Sequence, residues 1–425
     1  MKHEDQSFRT SHSAIRILSG GVCAPAGFLT AGVAAGIKPS GDRDLALIVS
    51  EELCHAAGTF TTNSVKAASV LLDLQKIRRP IRGVVISSGN ANACTGHRGF
   101  QNAKAMAEMA VRAVDGRGFD RGNFLVCSTG RIGVQLPMKK IADGIRQAAA
   151  RLGRNDQPAA RAIMTTDTYP KKTAVELRIG GRQVRIGGMA KGAGMIGPGM
   201  SSRGNPPALA PHATMLCFLT TDAVISRALL QECLNRAVAQ SFNRITVDGD
   251  MSPNDTVLLL ANGCAGNRLL RTRSADLRSF QSALDHATLT LAKMIVHDGE
   301  GISKVVTLEV IGAASASDAE RAVRAVGNSA LVKCSWCGED ANWGRISAAI
   351  GYSGARFHFS RFTLKYDRIP LISNGLLRNT SLKRVHRILR QPDFSIQCDL
   401  GLGKYSALLY TTDLTEEYVR LNKGE

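Results

Sequence analysis

The sequence predicts an α/β (α+β) protein with layered sheets, because signals for buried strands and for helices are interleaved along all 425 residues. Short apolar runs bounded by Gly, Asn and Asp supply the strands: DLALIVS at 44–50, GVVISS at 83–88, NFLVCS at 123–128, MLCFLT at 215–220, TVLLLA at 256–261 and VVTLEVI at 305–311. AVELRI and RQVRI flank Gly180-Gly181 and read as a hairpin with a primed turn, whose two central residues both need positive φ. Helical periodicity covers 101–114, 137–152, 222–241, 278–296 and 317–326, with Ser317 as the N-cap of the last. At 44% hydrophobic and 21% charged residues the composition is that of an ordinary globular protein. There are 42 glycines, which imply many tight turns, and no internal repeat or low-complexity segment.

The net charge of +19 is uneven, with 29 basic and 14 acidic side chains in residues 1–213 against 25 and 21 in 214–425. The basic residues are scattered and few aromatics lie among them, which reads as a solvated surface and not as a nucleic-acid site. No stretch approaches the ~20 apolar residues of a membrane span, and the first residues lack a signal-peptide apolar core. The expected setting is cytoplasmic, without a membrane or nucleic-acid partner. Ten cysteines follow no framework spacing. Most sit in apolar runs as small core residues, Cys127 and Cys217 among them. The close pair Cys334 and Cys337 lacks a second pair or a nearby His to complete a zinc site, so no metal is expected.

Familiar motifs fail on their surroundings. Gly192-Ala193-Gly194-Met195-Ile196-Gly197 matches GxGxxG, but Pro198 and a Pro-rich stretch follow where a dinucleotide site needs a helix. DGDMSPNDTVLL at 248–259 begins like a calcium loop, yet has Pro253 where Gly is required and Leu259 where Glu is required. Residues 197–213, with four prolines and no apolar periodicity, read as a loop leading to Thr214.

The segments GGVCAPAGFLTAGVAAGIKPSGDRDLALIVS, GTFTTNSVKAASV, SSGNANACTG, STGRIG, MTTDTYPK, GGMAKGAGMIGPGM, ATML, FNRITVDGDMSPNDT, MIVHDGEG and DANWGRISAAIGYSG occur in this order. Together they closely resemble the ornithine acetyltransferases, or glutamate N-acetyltransferases, of arginine biosynthesis. The resemblance runs from about residue 20 to the C-terminus. It implies a two-lobed, layered α/β sandwich that cuts itself between Ala213 and Thr214. The resulting chains, 1–213 and 214–425, would stay associated as α2β2.

The resemblance makes Thr214 the nucleophile, and the chemistry is coherent. A Thr hydroxyl needs a base, and a freed N-terminal amine is one within the same residue. Thr129 and Gly130 match the family's oxyanion hole, where a hydroxyl and a closely approaching backbone N–H stabilise a tetrahedral intermediate. Thr165, Lys191, Glu300 and Asn422 match the family's substrate-contacting positions. Lys191 suits a carboxylate, Glu300 an ammonium, and Asn422 either polar end. His212 and His297 match no family catalytic position and are read as structural.

The implied reaction is ping-pong transfer of acetyl from N-acetylornithine to glutamate through an acyl-Thr214 ester, with no cofactor. Acetyl-CoA serves as a second donor in bifunctional members. Two departures from the family pattern stand out. Thr214 follows Lys191 by 23 positions, further than in family members, which makes SSRGNPPALAPH an insertion. The chain also ends at Glu425, without the substrate-binding Ser or Thr that family members carry beyond the Asn422 position. These departures leave open a related self-processing acyltransferase or hydrolase acting on another N-acylated amino acid.

Overall fold

The larger sheet is assembled from β1 (Arg16–Leu18), β2 (Phe28–Val33), β3 (Leu45–Thr61), β4 (Ile81–Asn90), β5 (Asn123–Arg131), β6 (Lys171–Ile179), β7 (Arg182–Lys191), β8 (Met200–Ser201), β9 (Leu216–Thr221) and β10 (Thr256–Ala261). Its order is β1-β6-β7-β9-β10-β3-β4-β5, with β2 and β8 pairing β3. The structure is a computed structural model that describes residues 15–115, 122–202 and 215–423. Strand β3 joins two half-sheets. Its first part pairs antiparallel with β2 and β4, Leu47 lying opposite Ala31 and Val85. Beyond the exposed Glu51 and Glu52, its second part pairs antiparallel with β10, from His55 opposite Ala261 to Phe60 opposite Thr256.

Alternation along the strands sorts the apolar side chains into layers. Leu45, Leu47 and Val49 pack toward the helices Gly96–Asp115 and Met138–Ala150. Ala46 and Ile48 point the other way, into a core shared with Leu216, Phe218, Leu258 and Leu260. Cys217, Leu219, Val257 and Leu259, on the far face, meet the helices Arg227–Gln240 and Ala275–His297. The order is therefore helix, sheet, sheet, helix. Strands buried on both faces explain why these runs read as continuously apolar in the sequence.

The second lobe is a sheet of β11 (Val305–Ala313), β12 (Thr363–Tyr366), β13 (Ile369–Ser373), β14 (Leu376–Leu377), β15 (Asp393–Asp399) and β16 (Tyr405–Thr412), ordered β14-β13-β12-β15-β11-β16. The helix Ala316–Gly327 covers it, and Trp336, Phe362 and Tyr366 fill its core. The lobes join at Tyr410, which packs into the first lobe's core while its carbonyl accepts the Thr246 N–H at 2.9 Å.

The expected strands and hairpin form. Gly180 and Gly181 have φ of 55° and 80°, as a primed turn requires. Three details differ from the sequence reading. β3 continues to Thr61, because pairing with β10 holds residues whose own pattern is not strand-like. The cap of the helix at 316 is Ser315, whose side chain accepts the Asp318 N–H, and Ser317 lies inside the helix. The Pro-rich stretch begins with a short strand, β8, paired to Phe60 and Thr61. Its remainder from Arg203 lies outside the described residues.

Phe218 is fully buried in the core between the two half-sheets. Phe218→Ala is expected to cost about 3–5 kcal/mol, read as a lower urea midpoint with an unchanged slope.

Candidate functional site

The site forms where β5 and β7 end. Thr129, almost completely buried, and Gly130 close β5, which runs parallel to β4. Gly130 has φ of 124°, and a β-carbon there would lie 2.4 Å from the Gly89 carbonyl carbon and 2.6 Å from the Asn90 nitrogen. Only glycine lets the two backbones meet this closely. The turn is fixed from beneath by Asn254, whose amide donates to the carbonyls of Ala91 at 2.6 Å and Ser128 at 2.7 Å.

Lys191 ends β7 and carries its ammonium into this corner. Its Nζ donates to Thr165 Oγ1 at 2.6 Å and Thr129 Oγ1 at 3.4 Å. Burial lowers its pKa, and the nearby Asp167 carboxylate counters that shift. Asp167 anchors the whole corner. Its Oδ1 accepts from Lys171 Nζ and the Gly192 N–H, both at 2.7 Å, and its Oδ2 accepts the Thr165 N–H at 3.0 Å. Burial opposes its charge, but the Lys191 and Lys171 ammonium groups prevail and hold its carboxyl at about 2. Lys171 also donates to Asp298 Oδ2, which in turn accepts the Thr168 N–H at 3.0 Å. The buried charges tie the 164–170 loop to the end of the helix Ala275–His297.

Glu300 follows directly. Its N–H donates to the Ala193 carbonyl at 3.0 Å, and a β-carbon on Gly194 would overlap its carboxylate at 2.2–2.3 Å. Asn422, just past the C-terminal helix Glu416–Leu421, donates to Glu300 Oε2 at 3.0 Å. The geometry thus gathers Thr129, Gly130, Thr165 and Lys191 into one corner and the Glu300–Asn422 pair against the adjoining 193–194 turn.

Ala213 and Thr214, like His212, lie outside the described residues. The neighbouring Met215 does not: its N–H donates to Asp255 Oδ1 at 2.6 Å, and its carbonyl accepts from Thr256 at 3.1 Å. His297 pairs with the exposed Asp393 at 2.9 Å and with the Lys293 carbonyl, a surface arrangement. Among the described residues no group of His, Cys, Asp and Glu is gathered that could hold a metal ion.

Sequence reasoning missed Asp167, Lys171, Asp298, Asn254, Asp255 and Lys38. Lys38 sits on a loop whose N–H groups at Ala35, Ile37 and Lys38 all converge on the Asp44 carboxylate. Its side chain packs over Gly89, and burial lowers its pKa. Asp255 stands in a motif that the sequence reading rejected as a calcium loop and otherwise used as a family marker.

A buried ammonium, two threonine hydroxyls and a glycine turn at strand ends make up the candidate active site. The chain belongs to the ArgJ family, whose profile matches residues 29–424. It is 47% identical over 409 residues to the arginine biosynthesis bifunctional protein ArgJ of Symbiobacterium thermophilum, covering 95% of this chain and 98% of the relative. The protein of the same name from Geobacter sulfurreducens is 46% identical over 400 residues, covering 93% and 98%. A crystal structure of ornithine acetyltransferase complexed with ornithine, from Mycobacterium tuberculosis, is 44% identical with a TM-score of 0.41, covering 44% of this chain and 100% of that one.

Asp167→Asn leaves two buried ammonium groups undercompensated and is expected to cost about 3–5 kcal/mol in urea unfolding. Because its folded pKa is depressed, the stabilisation from Asp167 is present above the ordinary carboxylate value of 3.8 and is lost as pH falls toward about 2. The stability difference between wild type and variant should therefore narrow on acidification.

Proposed function

We propose that this enzyme transfers acetyl from N2-acetyl-L-ornithine to L-glutamate through an ester on Thr214, yielding L-ornithine and N-acetyl-L-glutamate. The observation that carries this reading is the Lys191 ammonium joined to both Thr129 and Thr165, beside Gly130, in a chain of the ArgJ family. The names of the relatives, arginine biosynthesis bifunctional protein and ornithine acetyltransferase, point to the same reaction.

In this reading the Thr214 hydroxyl first attacks the Ala213 carbonyl. The peptide C–N bond breaks as the amine takes a proton, and water then hydrolyses the ester, leaving residues 1–213 and 214–425 as separate chains. In the mature enzyme the freed amine takes the hydroxyl proton as Thr214 attacks the acetyl carbon of N-acetylornithine. Thr129 Oγ and the Gly130 N–H stabilise the oxyanion. The amine returns its proton to the departing ornithine nitrogen, and glutamate reverses the steps to carry the acetyl group away. Lys191 and Thr165 hold a substrate carboxylate, while Glu300, steadied by Asn422, faces an ammonium. No cofactor takes part, acetyl-CoA is an alternative acetyl donor, and the cut chains assemble as α2β2 in the cytoplasm.

Incubation with N-acetylornithine and glutamate should yield N-acetylglutamate, with parallel initial-rate plots. N-terminal sequencing should find a chain starting at Thr214, whereas Thr214→Ala should remain one inactive chain. Intersecting plots, or a different new N-terminus, would overturn the reading. Thr129→Val, which removes the hydroxyl donor, should lower kcat by about 10²–10³, the usual loss for one oxyanion donor, measured on enzyme already cut.

A further inference from the structure

Glu300 is gripped from two sides, and both grips converge on Asp248, a carboxylate with no part in the reaction just described. On one side lies the 193–196 turn, with Gly194 so close that a β-carbon there would overlap the Glu300 carboxylate. Asp248 fixes that turn, its Oδ2 accepting the Met195 N–H at 2.6 Å and its Oδ1 the Ile196 N–H at 2.8 Å. On the other side lies the helix Glu416–Leu421, whose end carries the Asn422 amide to Glu300 Oε2 at 3.0 Å. Tyr418, on the same helix, donates its hydroxyl to Asp248 Oδ2 at 3.3 Å. Burial and the Asp248 and Glu300 carboxylates push the Tyr418 pKa up, so the hydroxyl remains a donor.

The helix has a firm root and little else beneath it. Just before it, the buried Asp413 accepts the Ser303 N–H at 3.0 Å and the Lys304 N–H at 3.1 Å. Thr415 caps the helix by accepting the Tyr418 N–H at 3.2 Å, and its own hydroxyl donates to the Gly301 carbonyl. Gly301, at φ of 62°, allows this approach, since a β-carbon there would lie 2.6 Å from the Tyr418 nitrogen. Beyond the cap no residue of the six-residue helix is buried, and Val419 and Leu421 stand exposed. A segment with so little buried apolar surface is of the kind that opens locally while the rest stays folded.

We propose that this helix is a strap over the ammonium end of the substrate site, and that Tyr418 is a positioning residue that latches it to Asp248 and so holds Glu300 through Asn422. The inference rests on the acetyl-transfer reading above, in which Glu300 faces an ammonium. With the strap seated, the Asn422 amide occupies Glu300 Oε2 and leaves Oε1 to the ammonium. With the strap lifted, Glu300 loses that partner and holds the ammonium less well. Because Asp248 ties down the turn and the strap together, both walls around Glu300 keep one register.

Tyr418→Phe keeps the ring and removes the latch. In the full-length enzyme its KM for N-acetylornithine should rise about tenfold, as for one lost hydrogen bond to a charged group, with kcat within about twofold of wild type. Asn422→Ala should raise KM in the same way, and adding Tyr418→Phe to it should cost nothing further, because Tyr418 acts through Asn422. Additive losses, or a fall in kcat with KM unmoved, overturn the inference. Hydrogen exchange supplies a measurement that needs no variant. In the active wild type the amides of residues 418–422 should exchange faster than those of β16 and slow when ornithine is added. Exchange that ornithine leaves unchanged overturns the strap. A wild-type enzyme that transfers no acetyl group overturns the acetyl-transfer reading instead. The latch is then still judged without ligand: faster exchange at 418–422 in Tyr418→Phe than in wild type supports it, and equal exchange overturns it.

Discussion

Strand β9 is paired on both edges, antiparallel to β7 through Ile186–Lys191 and parallel to β10 through Thr256–Ala261. That double pairing sets the position of everything else in the site. It brings Leu216 opposite Lys191, the last residue of β7. It also sets Asp255 beside Met215, and through Asn254 it reaches the Gly130 turn on the other half-sheet. The close packing of Phe218 and Leu258 against Ile48 and Ile86 fixes the distance between the two half-sheets.

The polar interior is organised so that buried charges offset one another. Lys171 and Lys191 are matched by Asp167 and Asp298, and each carboxylate also takes backbone N–H donors, which makes such burial tolerable. Lys333, at the junction of the lobes, is a contrast. It bonds the Thr411 and Thr412 hydroxyls, and burial pushes its pKa down to about 7 despite Asp248 and Asp413 nearby. At the site Lys171 instead bonds Asp167 and Asp298 directly, and Lys191 lies 4.0 Å from Asp167.

Local sequence carried much of the fold. TVLLLA becomes β10 with the boundaries its apolar run suggests, and the Gly180-Gly181 hairpin follows from turn chemistry. What sequence could not supply was set by distant partners. The second part of β3 has a weak pattern of its own and exists because β10 lies beside it. The helix Leu382–Leu389 went unread because it is only eight residues long, although Val385, Ile388 and Leu389 recur at helical spacing and are buried. At the site, Thr129, Gly130, Thr165, Lys191, Glu300 and Asn422 were legible through ordered motifs, and the structure brings them to neighbouring strand ends and turns. Asp298 was not, because its bond with Lys171 spans 127 positions, and Asp167, though only four positions before Lys171, lies in a loop where no periodicity pairs the two. No residue spacing announces such a partnership.

The central place of β9 and β10 has a consequence for how the molecule comes apart. Both strands follow the Pro-rich stretch, yet each pairs directly with a strand that precedes it, β9 with β7 and β10 with β3. A break anywhere in 203–214 leaves every one of those ladders intact, so the folded state hardly registers it. The unfolded state registers it fully, because the chain then melts into two molecules that must find each other again. Refolding becomes second order, the melting temperature rises with protein concentration, and dilution favours the separated chains. The intact chain can assemble this sheet from one molecule, whereas the broken one preserves it mainly by not letting go.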